Sequence, residues 1–177
     1  TEGFSGWYYI QNGCVQKGQE TVKQNSNGWW YIGTDGKVDF HKNTVAPNEY
    51  GWWAVRNGAV DFQLNGIASN ESGDWYCRGG QVDFGAAGVL ESETEGFSGW
   101  YYIQNGCVQK GQETVKQNSN GWWYIGTDGK VDFGFSGIAS NENGTWYIEN
   151  GKVNFTYSGT YEDENGRIYD IKSGNAA

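Results

Sequence analysis

The stretch "GTWYIENGKVNF", running from Gly144 to Phe155, decides the fold of this chain. Its centre, Asn150-Gly151, is a pair that tolerates positive φ at both central positions of a type I′ turn, which predicts a tight β-hairpin. Side chains alternate across a strand, so folding about this turn collects apolar residues on one face. On that face Ile148 lies opposite Val153, and Trp146 lies opposite Phe155. The other face carries Tyr147, Glu149, Lys152 and Asn154.

The same pattern returns along the chain at intervals of 22 to 26 residues. Each copy begins with a glycine, followed by an aromatic cluster, a turn and a triplet similar to Val-Asp-Phe. The glycines that mark the units are Gly6, Gly28, Gly51, Gly73, Gly99, Gly121, Gly144 and Gly166. An isolated hairpin is marginal in water, so each unit must bury its aromatic face against a neighbour. The sequence therefore predicts an all-β fold, a single β-hairpin repeat solenoid over residues 1–177 with about seven units and a degenerate cap from Gly166 to Ala177.

A longer duplication contains these units. Residues Thr1 to Phe40 are identical to Thr94 to Phe133, an offset of 93 residues. The units from Gly28 and Gly121 replace the Asn-Gly turn with the longer Gly-Thr-Asp-Gly. Connectors such as "NGIASNESG" and "SGIASNENG" each contain a β-branched residue after glycine, and these residues predict a short third strand.

Composition excludes several classes of protein. Aromatic residues make up 17% of the chain and glycine contributes 29 residues, with one proline and no methionine, which disfavours a helical bundle. The formal net charge of -9 repels a phosphate backbone, so we predict no nucleic-acid partner. No apolar run approaches the roughly 20 residues that span a bilayer, and we predict no membrane insertion.

The residues that could do chemistry are scattered. His41 is the only histidine, and it lies in a connector. Recurring aspartates occupy the same hairpin position on separate units, which distributes them along the array: Asp39, Asp61, Asp83 and Asp132. The acidic turn "YEDENG" from Tyr161 to Gly166 lacks the ligand spacing of an EF-hand loop. We therefore predict no enzyme activity, no catalytic residue, no metal and no cofactor.

Three cysteines are too few for a disulfide framework, and no CxxC pair suggests zinc. Cys14 and Cys107 are copies of one another within the duplication. The three residues are interpreted as thiols or small core fillers. A bridge from Cys77 to Cys107, or between chains, is the alternative.

The repeats "GWYYIQNG", "NGWWYI" and "GTWYIENGKVNF" resemble the cell-wall-binding repeats of Gram-positive surface proteins, which include choline-binding and glucan-binding modules and the terminal repeats of clostridial toxins. The resemblance implies a secreted or cell-surface protein whose array attaches to a wall polymer or glycan. In choline-binding members, two aromatics of one hairpin and one of the next surround a quaternary ammonium. Trp7 with Tyr9, and Trp100 with Tyr102, match the Trp-Tyr-Tyr-Leu pattern of the family.

The candidate ligand-binding residues follow from strand alternation. The residue after each marker glycine and the residue two further on share the outer face, where exposed rings offer an apolar platform for a sugar and a π-face for a cation. These residues are Trp7, Tyr9, Trp29, Tyr31, Trp52, Trp100, Tyr102, Trp122 and Tyr124. The tryptophans that face the second strand are predicted in the core instead: Trp30, Trp53, Trp75, Trp123 and Trp146.

The identity of the ligand stays open at this point. Two departures from the choline-binding pattern, the missing Thr-Gly-Trp and the absence of methionine, favour a carbohydrate over choline. Predicted partners are a cell-wall polysaccharide, a teichoic acid or another glycan, or else a host or bacterial surface protein. The alternative is a structural stalk or adhesin spacer in which all of the rings are internal.

Overall fold

The computed structural model describes residues 5–177, and within this range the chain is all-β and contains no helix. Residues 1–4 of the predicted array lie outside the described residues. The chain forms two compact units. Among the described residues, the first comprises 5–84 and Glu93–Phe97, and the second comprises Gly85–Ser92 and Ser98–Ala177. No helix in the described range is long and apolar enough to cross a membrane.

The first unit is a series of antiparallel hairpins. Its strands are β1 (Ile10–Gln11), β2 (Cys14–Val15), β3 (Thr21–Asn25), β4 (Gly28–Ile32), β5 (Thr44–Asn48), β6 (Gly51–Arg56), β7 (Ala59–Val60), β8 (Gly66–Asn70), β9 (Gly73–Arg78) and β10 (Gln81–Val82). Within this unit one sheet runs in the order β3-β4-β7-β6-β10-β9, with β5 paired to β6 and β8 paired to β9.

The second unit repeats the same construction. The remaining strands of the chain are β11 (Gly88–Thr94), β12 (Phe97–Gln104), β13 (Cys107–Val108), β14 (Thr114–Asn118), β15 (Gly121–Ile125), β16 (Gly137–Asn141), β17 (Gly144–Glu149), β18 (Lys152–Val153), β19 (Gly159–Glu162), β20 (Ile168–Lys172) and β21 (Asn175–Ala176). One sheet here runs in the order β14-β15-β18-β17-β21-β20-β19, with β16 paired to β17. Strands β8 and β16 confirm the short third strands predicted from the connectors.

The hairpin turns have the predicted geometry. Asn150 has φ of 50° and Gly151 has φ of 76°, so both central residues of the turn are left-handed, as type I′ requires. Ile148 pairs with Val153 and Glu149 with Lys152, which confirms the predicted register. The asparagines of the other three Asn-Gly turns also have positive φ: Asn12, Asn57 and Asn105.

Neighbouring hairpins are joined through these turns. The N–H of Tyr124 donates to the carbonyl oxygen of Gly151 at 2.8 Å, and the N–H of Gly151 donates to the carbonyl of Phe135 at 2.7 Å. Corresponding bonds from a strand to the next turn run from Tyr31 to Gly58, from Ala54 to Gly80 and from Tyr147 to Gly174. Each turn therefore fixes its hairpin against the preceding one.

Both faces of a stacked hairpin contribute to the core, because each hairpin packs on the next. In the first unit, buried Val22 and Tyr31 contact Ala46, Val55 and Val60 of the following hairpin. In the second unit, buried residues of consecutive hairpins form an equivalent cluster: Val115, Tyr124, Ala139, Ile148 and Val153. The next hairpin thus covers Tyr31 and Tyr124, which the sequence predicted on the outer face.

Candidate functional site

Within residues 5–177, five clusters of three aromatic rings lie where consecutive hairpins meet. We call each cluster an aromatic cage and name it by its first tryptophan. Each cage takes one tryptophan from a hairpin, and a tryptophan and a phenylalanine from the next hairpin. The cages are Trp7 with Trp30 and Phe40; Trp29 with Trp53 and Phe62; Trp52 with Trp75 and Phe84; Trp100 with Trp123 and Phe133; and Trp122 with Trp146 and Phe155.

The ring planes within a cage are inclined to one another at large angles. In the Trp122 cage the centroids of Trp122 and Trp146 lie 5.1 Å apart at 61°, and Phe155 lies 5.8 Å from Trp122 at 89°. The third pair, Trp146 and Phe155, is 5.7 Å apart at 71°. The other four cages have the same form. The three rings thus contact one another edge to face.

The cages open to solvent. Their phenylalanines are between 40% and 48% exposed, and Trp7 is 42% exposed. The other cage tryptophans are partly buried, apart from Trp123, which is 9% exposed. Each cage therefore has an accessible mouth at its phenylalanine and a base that continues into the hydrophobic core.

An asparagine holds the second tryptophan of every cage. In the Trp122 cage the indole Nε1–H of Trp146 donates to Oδ1 of Asn141 at 2.9 Å. The same oxygen accepts the backbone N–H of Asn143, also at 2.9 Å. Equivalent indole bonds, of 2.9 to 3.1 Å, join Trp30 to Asn25, Trp53 to Asn48, Trp75 to Asn70 and Trp123 to Asn118.

The five tryptophans of the predicted ligand set are all in cages, as the first ring of each: Trp7, Trp29, Trp52, Trp100 and Trp122. Each has its cage partners on the following hairpin, and the tyrosine that stands two residues after four of them is outside the cage; Ala54 takes this position after Trp52. The pairs that the sequence predicted, such as Trp7 with Tyr9, are thus replaced by contacts between hairpins.

Two tyrosines of that set are buried, where the sequence predicted exposed rings. Tyr31 is 3% and Tyr124 is 5% exposed, because the next hairpin packs on this part of the strand. Burial raises the pKa of Tyr124 to about 12, and the hydrogen bond to Glu113 adds to the effect. The pKa of Tyr31 rises for the same reasons, with Glu20 as its partner.

The other two tyrosines of the set, Tyr9 and Tyr102, lie beneath lysines of the protein itself. The Lys23 Nζ is 5.3 Å from the ring centroid of Tyr9 and 2.8 Å from the Glu49 carboxylate. In the duplicated region Lys116 lies in the same way over Tyr102, 5.2 Å from its centroid. None of the four tyrosines of the predicted set contributes a ring to a cage.

The tryptophans that the sequence predicted in the core have a second role. Only Trp123 of the five is buried, and all five line cages. Trp30, Trp53, Trp75 and Trp146 are partly buried because the cage leaves one side of each ring open. Sequence reasoning also missed the cage phenylalanines and the asparagines. The recurring Asn-x-x-Gly before each such hairpin was the available signal.

A cation of the protein lies next to one ring of the Trp100 cage. The Lys152 Nζ lies 5.0 Å from the ring centroid of Trp123 in the Trp100 cage. Lys152 pairs with Trp123 across neighbouring strands, and the corresponding partner of Trp53 in the Trp29 cage is the neutral Gln81. The cages therefore differ in the charge next to their second ring.

The side chains that could bind a metal ion or act as nucleophiles do not come together in one site. Within residues 5–177 no group of three or more His, Cys, Asp or Glu side chains is placed to hold a metal ion. Cys14, Cys77 and Cys107 are thiols, so the alternative of a disulfide between the last two is not realised. Burial raises the pKa of the Cys77 thiol to about 12, which makes it a core filler and not a nucleophile.

One family model matches several of the hairpins. The sequence model of the family described as "Choline-binding repeat" matches residues 5–16, 42–61, 65–83, 98–109 and 134–154. No curated protein matches the sequence.

Solved structures similar to this chain include three from Streptococcus pneumoniae. CbpJ from strain TIGR4 is 19% identical with a TM-score of 0.39, and 96% of this chain covers 56% of CbpJ. Choline binding protein F is 19% identical with a TM-score of 0.38, and 96% of this chain covers 55% of it. The modular autolysin LytC, solved with a synthetic peptidoglycan ligand, is 15% identical with a TM-score of 0.37, at 98% and 46% coverage. This chain thus spans little more than half the length of the first two.

Proposed function

Because the chain belongs to the choline-binding repeat family, we propose that it is a non-catalytic cell-surface module whose aromatic cages bind quaternary ammonium groups. The natural carrier of these groups is a choline-bearing cell-wall polymer such as a teichoic acid. The observation that carries the proposal is the fivefold repetition of a solvent-open, three-ring cage. The first rings of these cages are the five tryptophans of the predicted ligand set.

The cage geometry favours a compact cation over a sugar ring. The three ring centroids of each cage lie 5.1 to 6.0 Å from one another. A cation above their midpoint is within the roughly 6 Å of all three centroids that a cation–π contact allows. A sugar stacks its flat C–H face on one ring and would not contact three steep planes at once. The net charge of -9 also attracts a cation.

Repetition supports attachment to a polymer. Each cation–π contact contributes about 0.5 to 2 kcal/mol, so a single cage binds weakly. Several cages on one chain act together when the polymer reaches more than one of them, and linkage raises the avidity by about 10² to 10⁴. This favours surface attachment over the alternative of a stalk whose rings are internal. Carbohydrate binding and binding at the four tyrosines remain predictions.

The proposal includes the finer architecture that the sequence predicted, a single array of about seven hairpin units and a cap. It is supported by the repeated bonds between each strand and the following turn within each compact unit. A secreted or cell-surface location is part of the same proposal, since the module acts on a wall polymer.

Titration with choline tests the function. The indole N–H groups of the cage tryptophans give separate signals in two-dimensional proton–nitrogen NMR spectra, and we expect choline to shift the signals of all five cages. The control is the neutral analogue in which a tert-butyl group replaces trimethylammonium, which fits the same space without a charge. Equal binding of the two, or shifts with dextran and none with choline, would contradict the proposal.

Replacing Lys152 with glutamine is expected to tighten choline binding in the Trp100 cage by about two- to fivefold. The substitution removes a cation that lies 5.0 Å from the Trp123 centroid and repels a second cation. It also reproduces Gln81 of the Trp29 cage. The measurement is the choline affinity from the Trp123 indole signal.

The matched control is Lys130→Gln, which removes a lysine from Tyr101, a ring outside the cages. It should leave the affinity of the Trp100 cage unchanged. Weaker binding in Lys152→Gln would mean that the ammonium group helps to form the cage.

A further inference from the structure

The asparagine beneath each cage is tied to more than the tryptophan. Asn141 accepts two hydrogen bonds through Oδ1, from the Asn143 backbone N–H and the Trp146 indole. Its Nδ2–H donates to the carbonyl oxygen of Val115 at 2.9 Å, on the preceding hairpin. Val115 belongs to β14, which pairs with β15, the strand that carries Trp122. One side chain thus touches both hairpins that form the Trp122 cage.

Two of the other cages repeat this arrangement. Asn70 binds the Trp75 indole and donates to the carbonyl of Val45 at 3.0 Å. Asn118 binds the Trp123 indole and donates to the carbonyl of Val89 at 3.4 Å. The torsion that rotates an aromatic ring about its attachment is broad, so packing at one edge leaves the ring free to tilt. A hydrogen bond at the indole nitrogen removes that freedom.

We propose that the asparagine three residues before the marker glycine is a positioning residue for the cage, which holds the second tryptophan in the orientation that receives the cation. The inference rests on the proposed function, because it concerns the affinity of the same cages. The asparagine does not touch the ligand. Its oxygen fixes the indole, and the indole presents its face to the mouth of the cage.

In the hairpins that carry the asparagine, the residue at this position both caps the turn and binds a tryptophan. In the last hairpin of the chain, the residue at this position caps the turn without binding a tryptophan. Asp163 occupies it there, and its Oδ1 accepts the backbone N–H groups of Asn165 and Arg167, each at 2.9 Å. That hairpin has no tryptophan. A carboxylate at this position therefore caps the turn as the asparagine does, and the turn alone does not require the amide. This makes Asn→Asp the conservative test substitution.

The experiment follows choline binding in the Trp122 cage by the indole signals of the full chain, with the Trp146 signal assigned from Trp146→Phe. Asn141→Leu removes the acceptor, and we expect choline affinity in this cage to fall by at least about fivefold, the equivalent of one hydrogen bond. Asn141→Asp keeps the acceptor for the indole but loses the Nδ2–H that donates to the Val115 carbonyl, so we expect a smaller loss than in Asn141→Leu. The signals of Trp75 and Trp123, whose asparagines are intact, should keep their affinities in both variants.

A double-mutant cycle distinguishes positioning from a general structural role. In the Trp146→Phe background this position has no indole N–H, so the loss caused by Asn141→Leu, read at Trp122, should be smaller there than in the wild-type background, where the indole bond is lost as well. Asn143→Leu is the matched control in the same turn, since the Asn143 side chain is exposed and its backbone N–H is retained. It should leave the Trp146 titration unchanged.

Three results would overturn the inference: wild-type affinity in Asn141→Leu, a loss in Asn141→Asp as large as in Asn141→Leu, or an undiminished loss in the Trp146→Phe background. Failure of the proposed function looks different. In that case choline shifts no cage signal in the wild type, while the Trp146 indole proton still exchanges faster with solvent in Asn141→Leu. That pattern would reject the ligand and retain the ring positioning.

Discussion

Replacing Gly151 with alanine is expected to destabilise the second unit by at least about 3 kcal/mol. Gly151 has φ of 76°, where an L-residue is strained. A Cβ there would overlap the carbonyl oxygen of Asp132 and lie 2.8 Å from the Cα of Phe133. These are backbone atoms of the preceding hairpin, so they cannot move aside as the end of a side chain would. The two hairpins would have to separate.

The same change should disturb the Trp100 cage, because Phe133 is its third ring. We therefore expect a lower midpoint in urea and weaker choline shifts of the Trp123 indole. The control is Gly13→Ala, in a turn with almost the same φ of 77° but with no atom within 4 Å of the added Cβ. It should cost only about 1 to 2 kcal/mol, the penalty of the backbone conformation itself. Equal costs for the two variants would show that the close approach between hairpins contributes nothing.

The hairpins themselves were predictable from the sequence. Asn-Gly specifies the type I′ turn through local sterics, and the turn sets the register that places Ile148 opposite Val153. Alternation along the strand then assigns Trp146 and Ile148 to one face. All of this is local information, carried by residues within one unit.

The site was harder to predict because it is formed between units. The alternation of side chains along a strand places Trp29 and Tyr31 on the same face. It does not indicate which part of that face the next hairpin covers. The stack covers the Tyr31 end and leaves the Trp29 end open, so the pair is divided between core and cage. Which rings meet depends on the offset between hairpins, which the contact of each turn with the preceding backbone determines.

The cage phenylalanines illustrate the same limit. Within one hairpin Phe155 lies beside Trp146, and the sequence interpreted this contact as core packing. The structure adds Trp122 from the preceding hairpin at 5.8 Å and leaves Phe155 45% exposed. Phenylalanine is common in cores, but the phenylalanine of every cage is about half exposed. This repeated exposure points to function, and the sequence alone does not show it.

Replacing the five cage phenylalanines with leucine is expected to reduce retention on a choline-substituted polymer by at least about 100-fold. Leucine keeps apolar volume at the mouth of the cage and removes the π-face, so each cage should lose about tenfold in affinity for free choline. The larger loss on the polymer arises because several weakened cages no longer act together. The residues are Phe40, Phe62, Phe84, Phe133 and Phe155.

The matched control is Phe135→Leu, which changes a ring that stacks on Tyr124 at 3.8 Å and belongs to no cage. It should lower the urea midpoint and leave choline affinity unchanged, because its ring packs on the core and not around the ligand. The five single variants provide a second measurement that does not depend on the fold of the combined variant, since each should weaken only its own cage. If Phe135→Leu lost as much binding as Phe155→Leu, or if the combined variant bound the polymer like the wild type, the phenylalanine rings would not be the recognition surface. The two outcomes differ in cause: the first would mean that binding depends on the stability of the stack, and the second that it depends on rings other than the phenylalanines.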